Sequence, residues 1–226
     1  MDITQVYDLE DLKKLQENGA SAAEVREAYA MMEANKERRA KATEKLLTLD
    51  WKKVSLEEVK DLLSQGADVK GKDWASGETS LHFASANGHV EVVKLLLAYG
   101  ADVKTKNIRG MTPLHVVSEY GYIKVAKILL AHGADIKGKD KNGNTPADLA
   151  RKEGHTDVAT FLKEMEELSA KRTTKAKEIR SVDADRSGQP VDHSLRRVLF
   201  GGDRLRQNAP LSLIVAERLK ERQSRS

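Results

Sequence analysis

The chain has 226 residues, of which 39% are hydrophobic, 33% charged and only 4% aromatic, a lean supply for one globular core that suits thin layers sharing cores with their neighbours. It has no cysteine, which excludes disulfides, Cys-ligated zinc and thiol nucleophiles and is compatible with a reducing interior. The formal charge of +4 is uneven: residues 1–168 hold 25 Lys and Arg against 28 Asp and Glu, a balance of −3, whereas 169–226 hold 14 against 7, a balance of +7.

The opening "MDITQVYDLEDLKK" is acidic and has no apolar signal core, which argues against Sec-type export. No apolar run exceeds about five residues, far short of the roughly 20 that a membrane span needs. "LEDLKKLQENG" predicts a short helix stopped by Gly19. Next, "SAAE" at 21–24 has the form of a capping box, Ser21 accepting from the backbone while Glu24 reaches back. A long helix is expected from there to about Leu47, with Val25, Tyr29 and Met32 on one apolar face. The stretch "EANKERRAK" at 33–41 offers that face almost nothing, and heptad positions are not sustained, so 1–50 reads as a helical N-terminal cap with a solvated middle rather than a coiled coil.

From there the chain repeats itself. Gly77, Gly110 and Gly143 are each 33 apart, opening "GETSLHFASANGHVEVVKLLLAYGADVK", "GMTPLHVVSEYGYIKVAKILLAHGADIK" and "GNTPADLARKEGHTDVATFLKEM". A half-copy, "SLEEVKDLLSQGADVK", occupies 55–70 and lacks the first half of the unit. Gly66 to Gly77 is one residue longer than the later glycine pairs, so the first loop is slightly longer. Within a copy, Thr-Pro starts a helix with Pro in the first turn, where its missing N–H costs nothing. Leu114, Val117 and Ser118 have helical spacing up to Gly121. Val125, Ile128 and Leu129 mark a second helix, and Gly133 sits where a helix stop needs positive φ. Neither helix alone buries its apolar stripe, so at least about three units must stack.

These residues resemble the ankyrin-repeat family, on "TPLH" at 112–115, "TSLH" at 79–82 and "GADV" or "GADI" after each second helix, over about 55–167. The chain departs from the pattern at Ser80 in place of Pro, at "TPAD" in 145–148, which loses the His, and at Val117 in place of a small residue. The degenerate last copy fits a capping unit. The resemblance implies an all-α ankyrin-repeat solenoid of helix-turn-helix units and β-hairpin-like turns over 51–168, between the N-terminal cap and a basic, partly disordered tail over 169–226. It also implies a non-enzymatic scaffold that binds a protein partner through hairpin tips and the concave face of the first helices. The matching positions include Trp74, Glu78, Asn87, Ile108, Arg109, Met111, Glu119, Tyr120, Lys141 and Asn144. Trp74, Ile108, Met111 and Tyr120 stand out as large apolar side chains at positions usually solvated. The alternatives are that Trp74 folds back on the longer loop and that Ile108 packs under the next hairpin.

No catalytic residue, cofactor or metal is expected. His82 and His115 hold the fourth motif position, where the resemblance implies a structural bond to the turn backbone, and His89 and His155 follow a Gly at the start of a second helix. His residues one repeat apart are separated by on the order of 10 Å of helix packing, against metal–nitrogen bonds of about 2 Å. His132 and His193 lack acidic or His partners at ligand spacing. No "GxSxG" elbow occurs, Ser85 and Ser118 sit at helix-contact positions, and "FGGDR" at 200–204 has no following phosphate-loop lysine. No small-molecule substrate is expected.

Beyond Leu168 the helix is expected to run on to about Ile179, followed by a polar linker and two short amphipathic helices. Leu195, Val198 and Leu199 share one face, as do Leu211, Ile214, Val215 and Leu219. Three readings of the basic tail stay open: a solvated extension, a dock or sorting signal, or an electrostatic contact with nucleic acid or anionic membrane, for which it lacks the interleaved aromatics of a single-strand binder. "APLSLIVAERL" resembles in character the start of F-box-like helices found in some ankyrin proteins. The Arg-bearing C-terminus resembles secretion signals of some bacterial ankyrin effectors. The expected location is the cytoplasm, or a host cytoplasm for such an effector.

Overall fold

The computed structural model describes the backbone of residues 9–184 and the side chains of 10–171. The two helices expected in the tail lie outside the described residues. Among those described, nine helices and no strands form: α1 (Leu9–Glu17), α2 (Ala22–Leu47), α3 (Leu56–Ser64), α4 (Ser80–Ala86), α5 (Val90–Ala98), α6 (Pro113–Tyr120), α7 (Ile123–Ala131), α8 (Pro146–Lys152) and α9 (Thr156–Ala184).

Local chemistry sets each boundary. The Ser21–Glu24 capping box forms in full at the start of α2, the Ser21 amide donating to Glu24 at 2.7 Å. Thr112 caps α6 with Pro113 in its first turn. At the end of α7 the amides of Gly133 and Ala134 return to the carbonyls of Leu130 and Leu129, both at 3.0 Å. Helix α9 runs five residues past the expected Ile179.

The helices pack in two rows. First helices α4, α6 and α8 lie side by side, second helices α3, α5, α7 and α9 form the other row, and each pair packs across the rows. One continuous core results, from Ala42 to Met165, with Leu81, Leu96, Leu114, Leu129 and Leu162 all fully buried. The half-copy at 55–70 finds its missing neighbour in the last turns of α2: Ala42 and Leu46 enter the main core against α3. The start of α2 packs instead with α1 in a separate small core of Leu12, Leu15, Ala28 and Met32. There the expected apolar face is rotated. Ala28 is buried against α1 where Tyr29 was expected, in helical register with Met32 four residues on, and Tyr29 is 50% exposed. Trp51, unremarked in the sequence, is buried and stacks on Phe83 with ring centroids 5.9 Å apart.

Two close approaches tie the loops between paired helices to the next unit. Gly121 ends α6 at φ 80°, and a Cβ there would run into the His155 ring; a Cβ at Gly88 would meet the Tyr122 ring in the same way. Gly121→Ala therefore combines left-handed strain with a clash, whereas Gly133→Ala, at φ 85° with open space around it, carries strain alone. Urea unfolding should show Gly121→Ala costing about 2–3 kcal/mol and Gly133→Ala about 1 kcal/mol. Equal losses would remove the packing contact from the account.

Candidate protein interface

The loops between repeats are hairpins closed on themselves and bonded to each other. In each, an amide and a carbonyl four or five residues apart close the turn: Asp73 N to Glu78 O at 2.7 Å, Asn107 N to Met111 O at 3.0 Å and Asp140 N to Asn144 O at 3.0 Å. The side chain at the same position stiffens it from within. Asp73 Oδ2 accepts from the Ser76 amide and hydroxyl, both at 2.7 Å. Asn107 Oδ1 accepts from the amides of Arg109 (2.9 Å) and Met111 (3.0 Å), and Asp140 Oδ1 from those of Asn142 (2.9 Å) and Asn144 (2.8 Å). The Ser76 hydrogen bonds hold the Asp73 carboxyl below its ordinary range. Burial alone would raise the Asp140 carboxyl, but bonds from Asn144 and Asn142 bring it below the ordinary value. Neighbouring hairpins then join, Ile108 N donating to Ser76 O and Lys141 N to Arg109 O, both at 3.0 Å.

Imidazoles anchor this ribbon to the helices. His82 Nδ1 accepts the Thr79 amide at 3.1 Å, and its Nε2 donates to Met111 O in the next hairpin at 3.1 Å. His115 accepts the Thr112 amide at 3.2 Å in the same way, while its Nε2 donates at 3.1 Å to Gly138 O, which lies at the entry to the next hairpin rather than at its exit. A carbonyl can only accept, which fixes the proton on Nε2. In the last copy, Asp148 takes over the inward half of the task, accepting the Thr145 amide at 3.0 Å and hydroxyl at 2.7 Å, and among the described residues no later hairpin follows to be bridged. His89 and His155 reach backward, to Trp51 O and to Glu119 O (3.0 Å). Burial pushes His82 down to about 4 and lowers His115 as well, so both stay neutral at pH 7.

The ten residues singled out in the sequence are placed as follows. Trp74 is 94% exposed at the first hairpin tip, so it does not fold back on its loop, and Ile108 is 57% exposed at the second, with its amide on Ser76 of the first. Lys141 is exposed at the third tip. Tyr120, 51% exposed, ends α6, and Asn87 caps the end of α4 with its amide on Phe83 O at 2.9 Å. Arg109 and Glu119 meet at 3.6 Å on the first-helix face, Glu78 accepts from the Asn107 amide group at 3.1 Å, and Asn144 bonds Asp140 at 3.1 Å.

Met111 is the correction: it was expected as an exposed anchor and is 3% exposed, packed with Val116 and Leu149. Its amide is held by Asn107 and its carbonyl by His82, and in that backbone pose its side chain enters the seam between first helices.

Sequence reasoning also missed an open groove of about 810 Å³ between α1, α2 and the end of α3, lined by Tyr29, Met32, Arg38, Arg39 and Gly66 among others. Tyr29, expected on the inward face, is the residue whose exposure opens it. Ser85 and Ser118 are fully buried, and Ser118 donates to Leu114 O at 2.8 Å, so neither is placed as a nucleophile. Among the described residues no group of three or more His, Asp or Glu side chains could hold a metal, and no helix is long and apolar enough to cross a membrane.

Two rows of stacked helices joined by a row of bonded hairpins define a stacked-repeat fold. The chain belongs to the ankyrin-repeat family: the family described as Ankyrin repeats (3 copies) matches residues 7–107, 50–140 and 105–173. The match begins well before residue 55, where the motifs become legible, and so takes in α1 and α2. No curated protein matches the chain. Ankyrin repeats are generally protein–protein interaction modules and typically non-enzymatic.

The buried imidazoles make stability depend on pH with a definite sign. His82 binds a proton in the unfolded chain near the ordinary pKa of 6.5 but in the folded chain only near 4. Its contribution is therefore full above about 6.5, falls as pH drops, and levels off below about 4, with a total on the order of 3 kcal/mol. Urea unfolding between pH 7 and 4.5 should show this decline, and His82→Gln should flatten its slope by nearly one proton. An unchanged slope in that variant would contradict the assignment.

Proposed function

We propose that the chain is a non-enzymatic adaptor holding a protein partner on its hairpin tips and the face of its first helices. The fully presented indole of Trp74 carries this reading. It stands 94% exposed on a turn that Asp73 pins with bonds to Ser76, so it meets a partner without loss of loop entropy. Tyr120 and Ile108 add exposed apolar surface along the same repeats, and the Arg109–Glu119 pair gives a charged flank. Aromatic and Arg side chains are the usual anchors of such contacts. A specific complex should bury on the order of 1,000 Å² or more in total, which needs several repeats rather than one tip.

The test is affinity capture from the native cell with the full chain and with Trp74→Ala/Tyr120→Ala. The double variant should lose its partner at least about tenfold while keeping wild-type helicity by circular dichroism. Undiminished capture with intact helicity discards this surface, and capture lost only on removing 185–226 moves the function to the basic tail.

A further inference from the structure

The hairpin row has a feature that narrows the partner's chemistry, and the inference rests on the protein-binding reading just given. Trp74, Ile108 and Lys141 occupy one equivalent position in successive hairpins, 34 and 33 residues apart. The backbone bonds from Ile108 to Ser76 and from Lys141 to Arg109 fix each tip beside the next. Two residues before each tip stands a lysine: Lys72, Lys106 and Lys139. The first two lie along the ribbon, Lys72 Nζ reaching Lys106 O at 3.3 Å and Lys106 Nζ reaching Lys139 O at 2.8 Å. Bonding to neutral carbonyls leaves their charges uncompensated.

The carboxylates nearby keep their charge, but they are held by their own loops rather than by these lysines. Asp73 and Asp140 are turned into their own turns, and Glu78 is bonded to Asn107. At the far end of each loop, Asp68, Asp102 and Asp135 each accept the amide two residues on, at 2.9, 2.9 and 3.0 Å. The outward side chains thus read apolar, apolar, cationic at the tips, beside a row of exposed lysines whose neighbouring Asp73 and Asp140 face into their turns.

The geometry points to an extended acidic segment of a protein partner lying along this row. Stacked helices are about 8–10 Å apart, and a chain in the extended polyproline II form advances about 3.1 Å per residue with three residues per turn, so one repeat corresponds to three residues and brings every third side chain to the same face of the segment. The segment then carries an apolar residue for Trp74, a second three positions away for Ile108, and a Glu or Asp three further for Lys141. The tip row is one residue wide, which matches an extended chain better than a helix about 10–12 Å across.

Fluorescence anisotropy of labelled peptides with the full chain tests this. The probe is an acidic peptide of about 15 residues carrying Leu, Leu and Glu at intervals of three, made in both sequence directions. At least one direction should bind saturably, weaken several-fold as salt rises, and weaken at least about tenfold when the interval becomes two or four. Lys141→Glu should transfer the preference at the third anchor from Glu to Lys, a readout that general loss of folding cannot mimic. No binding in either direction, indifference to the interval, or better binding by a peptide with helical spacing of seven overturns the proposal. If a cellular partner is still captured through Trp74 and Tyr120 while these peptides fail, the extended-segment inference alone falls and the adaptor reading stands.

Discussion

His82 and His115 each bond two units at once, through Nδ1 to the cap of their own helix and through Nε2 to a carbonyl of the following hairpin. An imidazole is the side chain suited to that place. In its neutral form it offers one acceptor and one donor on opposite edges, and burial holds it neutral. The hairpins follow from this contact: with Met111 O and Gly138 O held, the turns close at fixed heights above the helices. The next hairpin can then donate to the last. An unpaired buried nitrogen or carbonyl would be costly in this seam, so the stack propagates by mutual satisfaction of polar groups as well as by shared apolar area.

Most of this was legible because the unit recurs. The 33-residue glycine period, the Thr that starts each first helix and the apolar spacing of the second helices state the pattern three times over, and agreement between copies leaves little freedom for each. The ends were less legible for a physical reason: they satisfy the same needs with different residues. Helix α2 supplies through Ala42 and Leu46 the neighbour that the half-copy lacks, although nothing in its sequence resembles a first helix. Asp148 replaces the motif histidine because the last unit has a cap to close and, among the described residues, no later hairpin to hold. Trp51 was invisible as a partner of His89, the two being 38 residues apart.

At the surface, position alone could not tell side from side. Ile108 and Met111 are three residues apart in one hairpin and both looked like anchors, yet one is 57% exposed and the other 3%. The difference lies in which backbone groups are pinned, and hydrophobicity does not report that. Trp74 and Ile108 remain outward because their turns are closed by polar bonds that require nothing of their side chains. The fold therefore separates two tasks: the imidazoles, turn carboxylates and leucine layers build a stiff ribbon, and the tips are left to vary. Such a division suits recognition, since a partner meets side chains already held in place.

The most direct measurement of this coupling is native-state hydrogen exchange at the inter-hairpin amides. Ile108 and Lys141 donate across units, so their exchange should require opening of the stack and occur within about 1 kcal/mol of the Val116 and Leu129 helix amides, while the Trp74 tip amide exchanges freely. Ile108 and Lys141 exchanging as fast as Trp74 beneath protected helices would show that the hairpins are loose appendages, and would contradict a ribbon locked by its neighbours.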